Sequence, residues 1–497
     1  MNNPQYNLLG VPSPIWIISI LIGFALLFLR LPMLFLPSTD DMQALYATFV
    51  TQSDTQSWAA HPNVAQSRAL IAAPLYILDL LKLPNFLLAV AAYFMNAFLL
   101  PILFALTLWT VKKELGYVSL FALTAFSSFH PGLAEAEHFW LIRFNLTFAY
   151  IAMIIFVVSW QRLIRWRFLS TCFMIACVGF SYQGYLNIAL VILTALFASE
   201  IADEQKSNRK VLVSGITLAG GVISGILILA VSLKIVQHFG AAWVQYFEPL
   251  PIHLIPAKIV RVWQLYINVL VGDPGFPNKP LGTVILALAI LSALIGVLFK
   301  FRLRRTVAVL FTVIGISLAA LQLPSIPFHQ QFYAMRSYPQ IYLGLACLIA
   351  LSFPAQPYAI PAIVRATTAC AFAIFTLMST VWVSAGFAVT RYYDFTNASR
   401  LVSLLDDSGF KWDKPIAVGF GGWNNWKYWV RGNTNAMEPI LSATWSAHYL
   451  IGFVANRPII KPTAEQQKVV EDYCLSTRKE RPSPHVSDHG DVMALCL

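Results

Sequence analysis

Apolar stretches close to the length of a membrane-spanning helix recur along this chain of 497 residues, and they constrain its fold more than any other feature. A helix needs roughly 20 apolar residues to cross the hydrocarbon of a bilayer. Only 11% of the residues are charged, whereas soluble domains carry about a quarter. The sequence predicts eleven crossings, at residues 14–36, 85–110, 115–130, 144–161, 168–181, 185–199, 211–236, 281–299, 306–323, 339–354 and 366–390. The predicted fold is therefore an all-α polytopic membrane domain over residues 1–390.

Basic residues fall on alternate connections between these predicted spans, which sets their orientation. The connections concerned contain Lys112, Lys113, Arg162, Arg165, Arg167, Lys206, Arg209, Lys210, Lys300, Arg302, Arg304 and Arg305. The positive-inside rule places such connections in the cytoplasm. The N-terminus is then cytoplasmic, and the outer loops are residues 37–84, 131–143, 237–280 and 324–338. The net charge of +11 is explained by topology and does not indicate nucleic-acid binding.

Two details fit this threading less well. Arg30 lies near the outer end of the first span, inside an apolar run. Residues 168–199 fit either two short crossings or one re-entrant pair, because 168–181 is short for a full crossing.

The polar tail, residues 391–497, predicts a small α/β domain. TNASRLVSLLDDSG indicates a helix that stops at Gly409, PIAVGFGG a short buried strand, and DVMALCL a closing strand. Cys474 and Cys496 are the two cysteines of this tail, and they predict a disulfide in an oxidising compartment. An odd number of crossings also places the tail outside. We see no Cys/His cluster with metal-ligand spacing.

An acidic pair, Asp40 and Asp41, follows the first predicted span in LPMLFLPSTDDMQALY. Carboxylates at a membrane surface are costly unless they face water or a polar site, so the pair is a candidate functional site. The same residues also fit the end of a span followed by a helix that Ser38 or Thr39 caps.

Glu135 and Glu137, in HPGLAEAEHFW, form a second acidic site on the same predicted side. Such carboxylates can act as general bases when partial burial raises their pKa. Three arginines predicted on this side can stabilise a phosphate leaving group by bidentate hydrogen bonds, with Arg336 preferred over Arg143 and Arg68. Each residue also has a structural interpretation: solvated loop acids, a snorkelling Arg143, or an Arg336 that pairs helices.

The tail segment GFGGWNNWKYWVRGN is rich in tryptophan and asparagine. Trp423 and Trp426 offer faces for stacking on sugar rings, and the Asn424 amide can bond hydroxyl groups. The tryptophans equally fit packing against the membrane or within the domain.

Together these features resemble the GT-C superfamily of membrane glycosyltransferases, with an acidic pair after the first span, many crossings and a small outer C-terminal domain. The segments STDDMQALY, HPGLAEAEHFW, SYQGYLNIAL and MRSYPQ resemble the phage-type O-antigen glucosyltransferases that convert bacterial serotype. The resemblance covers most of the membrane region by layout.

The resemblance implies a polyprenyl-phosphate sugar donor, with undecaprenyl-phosphate glucose expected, and a lipid-linked glycan acceptor such as O-antigen. Transfer would occur on the periplasmic face of the bacterial inner membrane, and Asp40 or Asp41 would be the base of a single inverting displacement. Both acids of AEAEH compete for a second role. The resemblance implies no cofactor. Whether a divalent metal takes part stays open, because some GT-C enzymes use one. A donor synthase and a flippase are expected partners.

Three other functions stay open. An O-antigen polymerase or ligase shares the donor lipid, the side of the membrane and the outward arginines. A lipid or sugar transporter would place ionisable residues near the bilayer midplane and show paired repeats, and neither is apparent in the sequence. A non-catalytic membrane scaffold would tolerate neutralisation of its outer acids.

Overall fold

A computed structural model gives the architecture of the chain. It describes residues 6–7, 11–36, 42, 46, 50, 86–130, 133, 140–160, 166–181, 183–238, 250–271, 287–288, 291, 294, 303–320, 340–352, 359–419, 440–442, 446–477 and 484–496.

Twelve helices of the described part belong to or adjoin the predicted membrane domain. They are α1 (Ser13–Leu29), α2 (Leu31–Phe35), α3 (Phe86–Val111), α4 (Tyr117–Ser128), α5 (Trp140–Ser159), α6 (Arg167–Ser181), α7 (Leu186–Ala202), α8 (Asn208–His238), α9 (Ile255–Val271), α10 (Leu303–Ala320), α11 (Gln340–Ser352) and α12 (Ala359–Asp407). A short antiparallel pair, β1 (Tyr6–Asn7) and β2 (Val11–Pro12), precedes α1.

Three of the described helices contain segments long and apolar enough to cross a membrane: Leu88–Val111, Asn208–Ser232 and Ile363–Asp407. Shorter apolar helices, among them α1, α6 and α11, accompany them. Large apolar side chains such as Phe28 and Ile216 are exposed on these helices. Because water-soluble proteins rarely expose extended apolar surface, this architecture is that of a helical membrane protein.

The predicted spans coincide with described helices, except that 281–299 lies largely outside the described residues. Residues 168–199 form two separate helices, α6 and α7, joined by a 3₁₀ turn at Gln183–Tyr185. The predicted outer loop 237–280 contains α9, a helix that the sequence analysis did not predict.

The helix bundle has polar residues at both ends. The two ends are about 30 Å apart, the length of the 20 residues of α5 at 1.5 Å per residue. The Arg143 end contains Arg30, His130 and Arg143. The Arg167 end contains an ion pair between Arg167 and Glu200, with N–O distance 2.7 Å. At that end Arg304 also donates to the carbonyl oxygens of Asp203 and Lys206, and Arg365 to Ser119.

The last of these helices, α12, runs without interruption through 49 residues. At 1.5 Å per residue it is about 70 Å long, more than twice the thickness of a bilayer's hydrocarbon core. The predicted domain boundary at residues 390/391 lies within it. The helix ends before Gly409, as predicted, because Gly409 adopts the left-handed conformation (φ 72°) and its N–H bonds the Asp406 carbonyl at 3.0 Å.

The C-terminal domain contains a three-stranded sheet and two further described helices. The elements are β3 (Ile416–Gly419), α13 (Ala447–Ala455), α14 (Ala464–Thr477), β4 (His485–Asp488) and β5 (Met493–Cys496). The strand order is β3-β5-β4, with β5 parallel to β3 and antiparallel to β4. The strands predicted at PIAVGFGG and DVMALCL are β3 and β5, and β4 was not predicted.

Cys474 of α14 and Cys496 of β5 form a disulfide, the pair that the sequence predicts. Gly419, at the end of β3, lies against it: a methyl group at this position would be within 2.5 Å of the Cys474 sulfur. Glycine is therefore required where α14, the disulfide and the sheet meet.

Replacing Cys474 and Cys496 together by serine is expected to lower the free energy of unfolding of the C-terminal domain by about 2–4 kcal/mol, because the cross-link restricts the unfolded chain. Limited proteolysis across a temperature series measures this on the full-length protein. Cys370→Ser, at an exposed free cysteine of α12, is the control. Equal protease resistance of the double variant and wild type would contradict a stabilising role.

Candidate functional site

Most of the predicted site residues lie outside the described residues. They are Asp40, Asp41, Arg68, Glu135, Glu137, Arg336, Trp423, Asn424 and Trp426. Arg143 and the two disulfide cysteines are described. Described residues lie on either side of the acidic and tryptophan-rich segments, and their contacts show which elements adjoin each segment.

Arg143 is fully buried near the start of α5. Its Nη2 donates to the carbonyl oxygen of Met33 in α2, and its guanidinium carbon lies 5.3 Å from the centre of the Tyr93 ring. This distance is within the range of cation–π attraction. Since the side chain is enclosed by protein, it does not reach toward a membrane interface as a snorkelling residue would.

The backbone around Arg143 is held by α3. The side-chain amide nitrogen of Asn96 donates to the Arg143 carbonyl at 2.9 Å, and Thr147 Oγ1 donates to the Asn96 side-chain oxygen at 2.7 Å. All three residues are buried. Buried polar groups joined in this way fix one arrangement of their helices, so the start of α5 is rigidly placed.

Arg30, which the sequence analysis regarded only as an irregularity of the first span, belongs to the same end of the bundle. It is 3% exposed, and its Nη2 donates to the carbonyl oxygen of Ser128 at 3.0 Å, at the C-terminus of α4. Among the described residues, its Nε has no hydrogen-bond partner and no carboxylate pairs with it. Burying a charge is costly unless it is compensated. The sequence signal was a lone arginine within an apolar run.

His130 and Phe129 fix the end of α4 against two other helices. The His130 ring is buried, and its centre is 4.1 Å from that of Tyr342 in α11. Thr380 of α12 donates to the Phe129 carbonyl oxygen. The residues that precede Glu135 and Glu137 therefore lie beside Arg30, and the next helix along the chain, α5, contains Arg143 near its start.

Described residues on both sides of Asp40 and Asp41 are packed against other parts of the chain. Before it, Met33 packs with Val383 and Phe387 of α12. After it, Met42 is fully buried in an apolar cluster of the C-terminal domain that also includes Leu401 of α12.

The residues that follow the tryptophan-rich segment are bound to the same helix. Arg391 and Asp394 of α12 form a fully buried ion pair with N–O distance 2.7 Å. The Asp394 carboxylate also accepts hydrogen bonds from the backbone N–H groups of Ile440 at 2.9 Å and Leu441 at 3.3 Å. Ile440 and Leu441 directly follow the tryptophan-rich segment, which begins after Gly419.

α12 thus contacts the flanks of all three segments that carry candidate residues: Phe129 through Thr380, Met33 through Val383 and Phe387, and Ile440 through Asp394. From Thr380 to Asp394 the axial distance is about 21 Å at 1.5 Å per residue. The acidic and tryptophan-rich segments are far apart in sequence, but the described residues next to each of them contact the same helix, α12. This arrangement was not predicted from the sequence.

Chemically, the Arg143 end offers two buried guanidinium groups next to the segments that carry the four candidate carboxylates. Guanidinium groups recognise phosphate through planar, paired hydrogen bonds. Among the described residues, no group of three or more His, Cys, Asp or Glu side chains is arranged to hold a metal ion.

Comparison of the chain with protein-family models, with curated proteins and with solved structures gives no match.

Proposed function

We propose that this chain is a membrane glycosyltransferase that moves a hexose, glucose being the expected one, from a polyprenyl-phosphate donor to a lipid-linked glycan such as O-antigen. The observation that carries the proposal is the juxtaposition at the Arg143 end: buried Arg30 and Arg143 flank the segments that contain Asp40, Asp41, Glu135 and Glu137. Arg30 is buried, and no carboxylate of the described residues pairs with it, which fits an anionic substrate. The carboxylates of the adjoining segments fit proton removal.

The proposed reaction is a single displacement at the anomeric carbon. The acceptor hydroxyl loses its proton to Asp40 or Asp41, its oxygen forms the new glycosidic bond, and the bond from the anomeric carbon to the phosphate oxygen breaks. Attack opposite to the leaving group inverts the anomeric configuration. Polyprenyl phosphate leaves with the bonding electrons, and arginine donors stabilise its charge.

In this proposal the Arg143 end faces the periplasm and the chain crosses the bacterial inner membrane eleven times. The clustering of Arg167, Arg304 and Arg365 at the opposite end supports this orientation, because basic residues favour the cytoplasmic side. The disulfide supports it as well, since disulfides persist in oxidising compartments.

Arg30 adds a donor to this proposal. Its Nε–H is buried and finds no acceptor in the described part of the chain, so an incoming phosphate oxygen could accept a hydrogen bond from it. Arg143 and Arg336 would share the phosphate with it. No cofactor is needed for the displacement.

The test is transfer of labelled glucose from undecaprenyl-phosphate glucose to lipid-linked O-antigen by the purified full-length protein in lipid nanodiscs. We expect transfer above that of heat-inactivated protein, with inverted configuration in the product. Arg30→Gln, which keeps side-chain amide donors but removes the charge, is expected to raise the KM for the donor about tenfold or more, since hydrogen bonds to charged groups contribute roughly 1.5–3 kcal/mol. Absence of transfer from all polyprenyl-phosphate hexoses tried, to all lipid-linked glycans tried, would refute the proposal.

A further inference from the structure

The chain that follows the acidic pair is bound to the C-terminal domain at two described residues. Met42 is fully buried in the apolar cluster that contains Leu450 and Leu495. Tyr46 is 6% exposed. Thus a segment from the first predicted outer loop contributes to the interior of a domain that lies about 400 residues further along the chain.

Tyr46 makes specific contacts there as well as apolar ones. The backbone N–H of Ile459 donates to the Tyr46 hydroxyl oxygen at 2.7 Å. The ring lies 5.4 Å, centre to centre, from that of Tyr449, and a methyl group at Gly452 would be 2.6 Å from ring carbon Cε2. Burial raises the pKa of Tyr46, so its hydroxyl stays protonated and neutral.

The partner of Tyr46 is itself firmly placed. α13 ends with Asn456 in the left-handed conformation (φ 51°), and the Arg457 N–H bonds the Gly452 carbonyl at 3.0 Å. The Ile460 carbonyl accepts a hydrogen bond from Ile416 N–H at the start of β3, at 3.4 Å. Ile459 is therefore held between the end of a helix and the sheet.

We propose that Tyr46 is a positioning residue for the acidic pair. Asp41 is bonded to Met42, and consecutive Cα atoms are about 3.8 Å apart, so anchoring Met42 and Tyr46 limits how far the acidic pair can move relative to the C-terminal domain. The C-terminal domain then sets the distance between the base and the acceptor hydroxyl. This inference rests on the proposed function, and it gives the domain a part in the reaction beyond contacts with sugar.

Tyr46→Phe tests the inference, since it removes the hydroxyl that accepts from Ile459 and keeps the ring. In the full-length protein we expect faster amide hydrogen exchange in peptides covering residues 37–50. We also expect kcat to fall by on the order of tenfold or more, because misplacement of a reacting group by about 1 Å can cost about a hundredfold. The donor KM should stay within about twofold. The acidic limb of the pH–kcat profile should move, which does not follow from lost stability alone.

Two control variants separate positioning from general destabilisation. Lys414→Gln removes an ion pair with Asp488 at the edge of the same domain, and Gly409→Ala strains the end of α12. Both should leave exchange at residues 37–50 and the pH profile as in wild type.

Unchanged exchange at residues 37–50 in Tyr46→Phe would overturn the anchoring. Faster exchange with unchanged kcat in an active enzyme would overturn the positioning role. A wild-type protein that transfers no sugar would refute the proposed function, and the exchange measurement would still decide whether Tyr46 anchors the segment.

Discussion

Asp40→Asn or Asp41→Asn, whichever removes the proposed base, is expected to lower kcat for sugar transfer by about 10²–10⁴-fold, the usual contribution of a positioned general base. The amide has nearly the size of the carboxylate but cannot take the proton from the acceptor hydroxyl. Donor binding should change little, because the proposal assigns the phosphate to the arginines. The measurement is transfer of labelled glucose under saturating donor and acceptor, with donor binding determined separately.

The two single variants also distinguish the adjacent carboxylates. One inactive and one active variant would identify the base. Asp203→Asn, at the Arg167 end of the bundle, is the matched control, because its side-chain oxygen can still accept from the Gln205 N–H. Full activity of both Asp40→Asn and Asp41→Asn would mean that the pair only ends the first span, as a scaffold or a helix cap would allow.

Asp394→Asn is expected to destabilise the protein by about 3–5 kcal/mol, the usual cost of breaking a buried ion pair by removing one partner. Asp394 and Arg391 are both fully buried, so water cannot solvate the charge that remains on Arg391. The backbone N–H groups of Ile440 and Leu441 bond different oxygens of the carboxylate, so the amide loses one of these acceptors as well as the negative charge beside Arg391. Thermal unfolding in detergent, followed by protease resistance, measures the change.

Asp488→Asn is the control for this variant, because Asp488 pairs with Lys414 at the protein surface and exposed pairs contribute little to stability. The double variant Arg391→Met/Asp394→Asn should be more stable than Asp394→Asn alone, since no unbalanced charge is left. If Asp394→Asn unfolds like wild type, the pair does not hold α12 to residues 440–441 in the way described.

Sequence patterns predicted the helices of the membrane domain well. Hydropathy marks a lipid-facing helix directly, so α3, α8 and α12 lie where the apolar runs do. The end of α12 at Gly409 was also predictable, because glycine alone adopts the left-handed conformation without strain. Cys474 and Cys496 were the only cysteines of the polar tail, which made their pairing predictable.

Other features depend on contacts distant in sequence. Nothing near Arg30 in the chain indicates that it meets the end of α4, because that contact joins residues 98 positions apart. The continuity of α12 through residue 390 was missed because composition changes there while backbone geometry does not. The attachment of Tyr46 to Ile459 crosses 413 positions and leaves no local pattern.

The order of the strands has a consequence for how the protein is made. β5, the middle strand of the sheet, is synthesised after both strands that flank it, and it also provides Cys496. Neither β3 nor β4 has its partner until residue 496 has been translated and, in the proposed orientation, exported. Domains generally fold as units during synthesis. Here the sheet, the disulfide and the apolar cluster that receives Met42 are completed only after the helices have entered the membrane, so an unfinished chain has no assembled site.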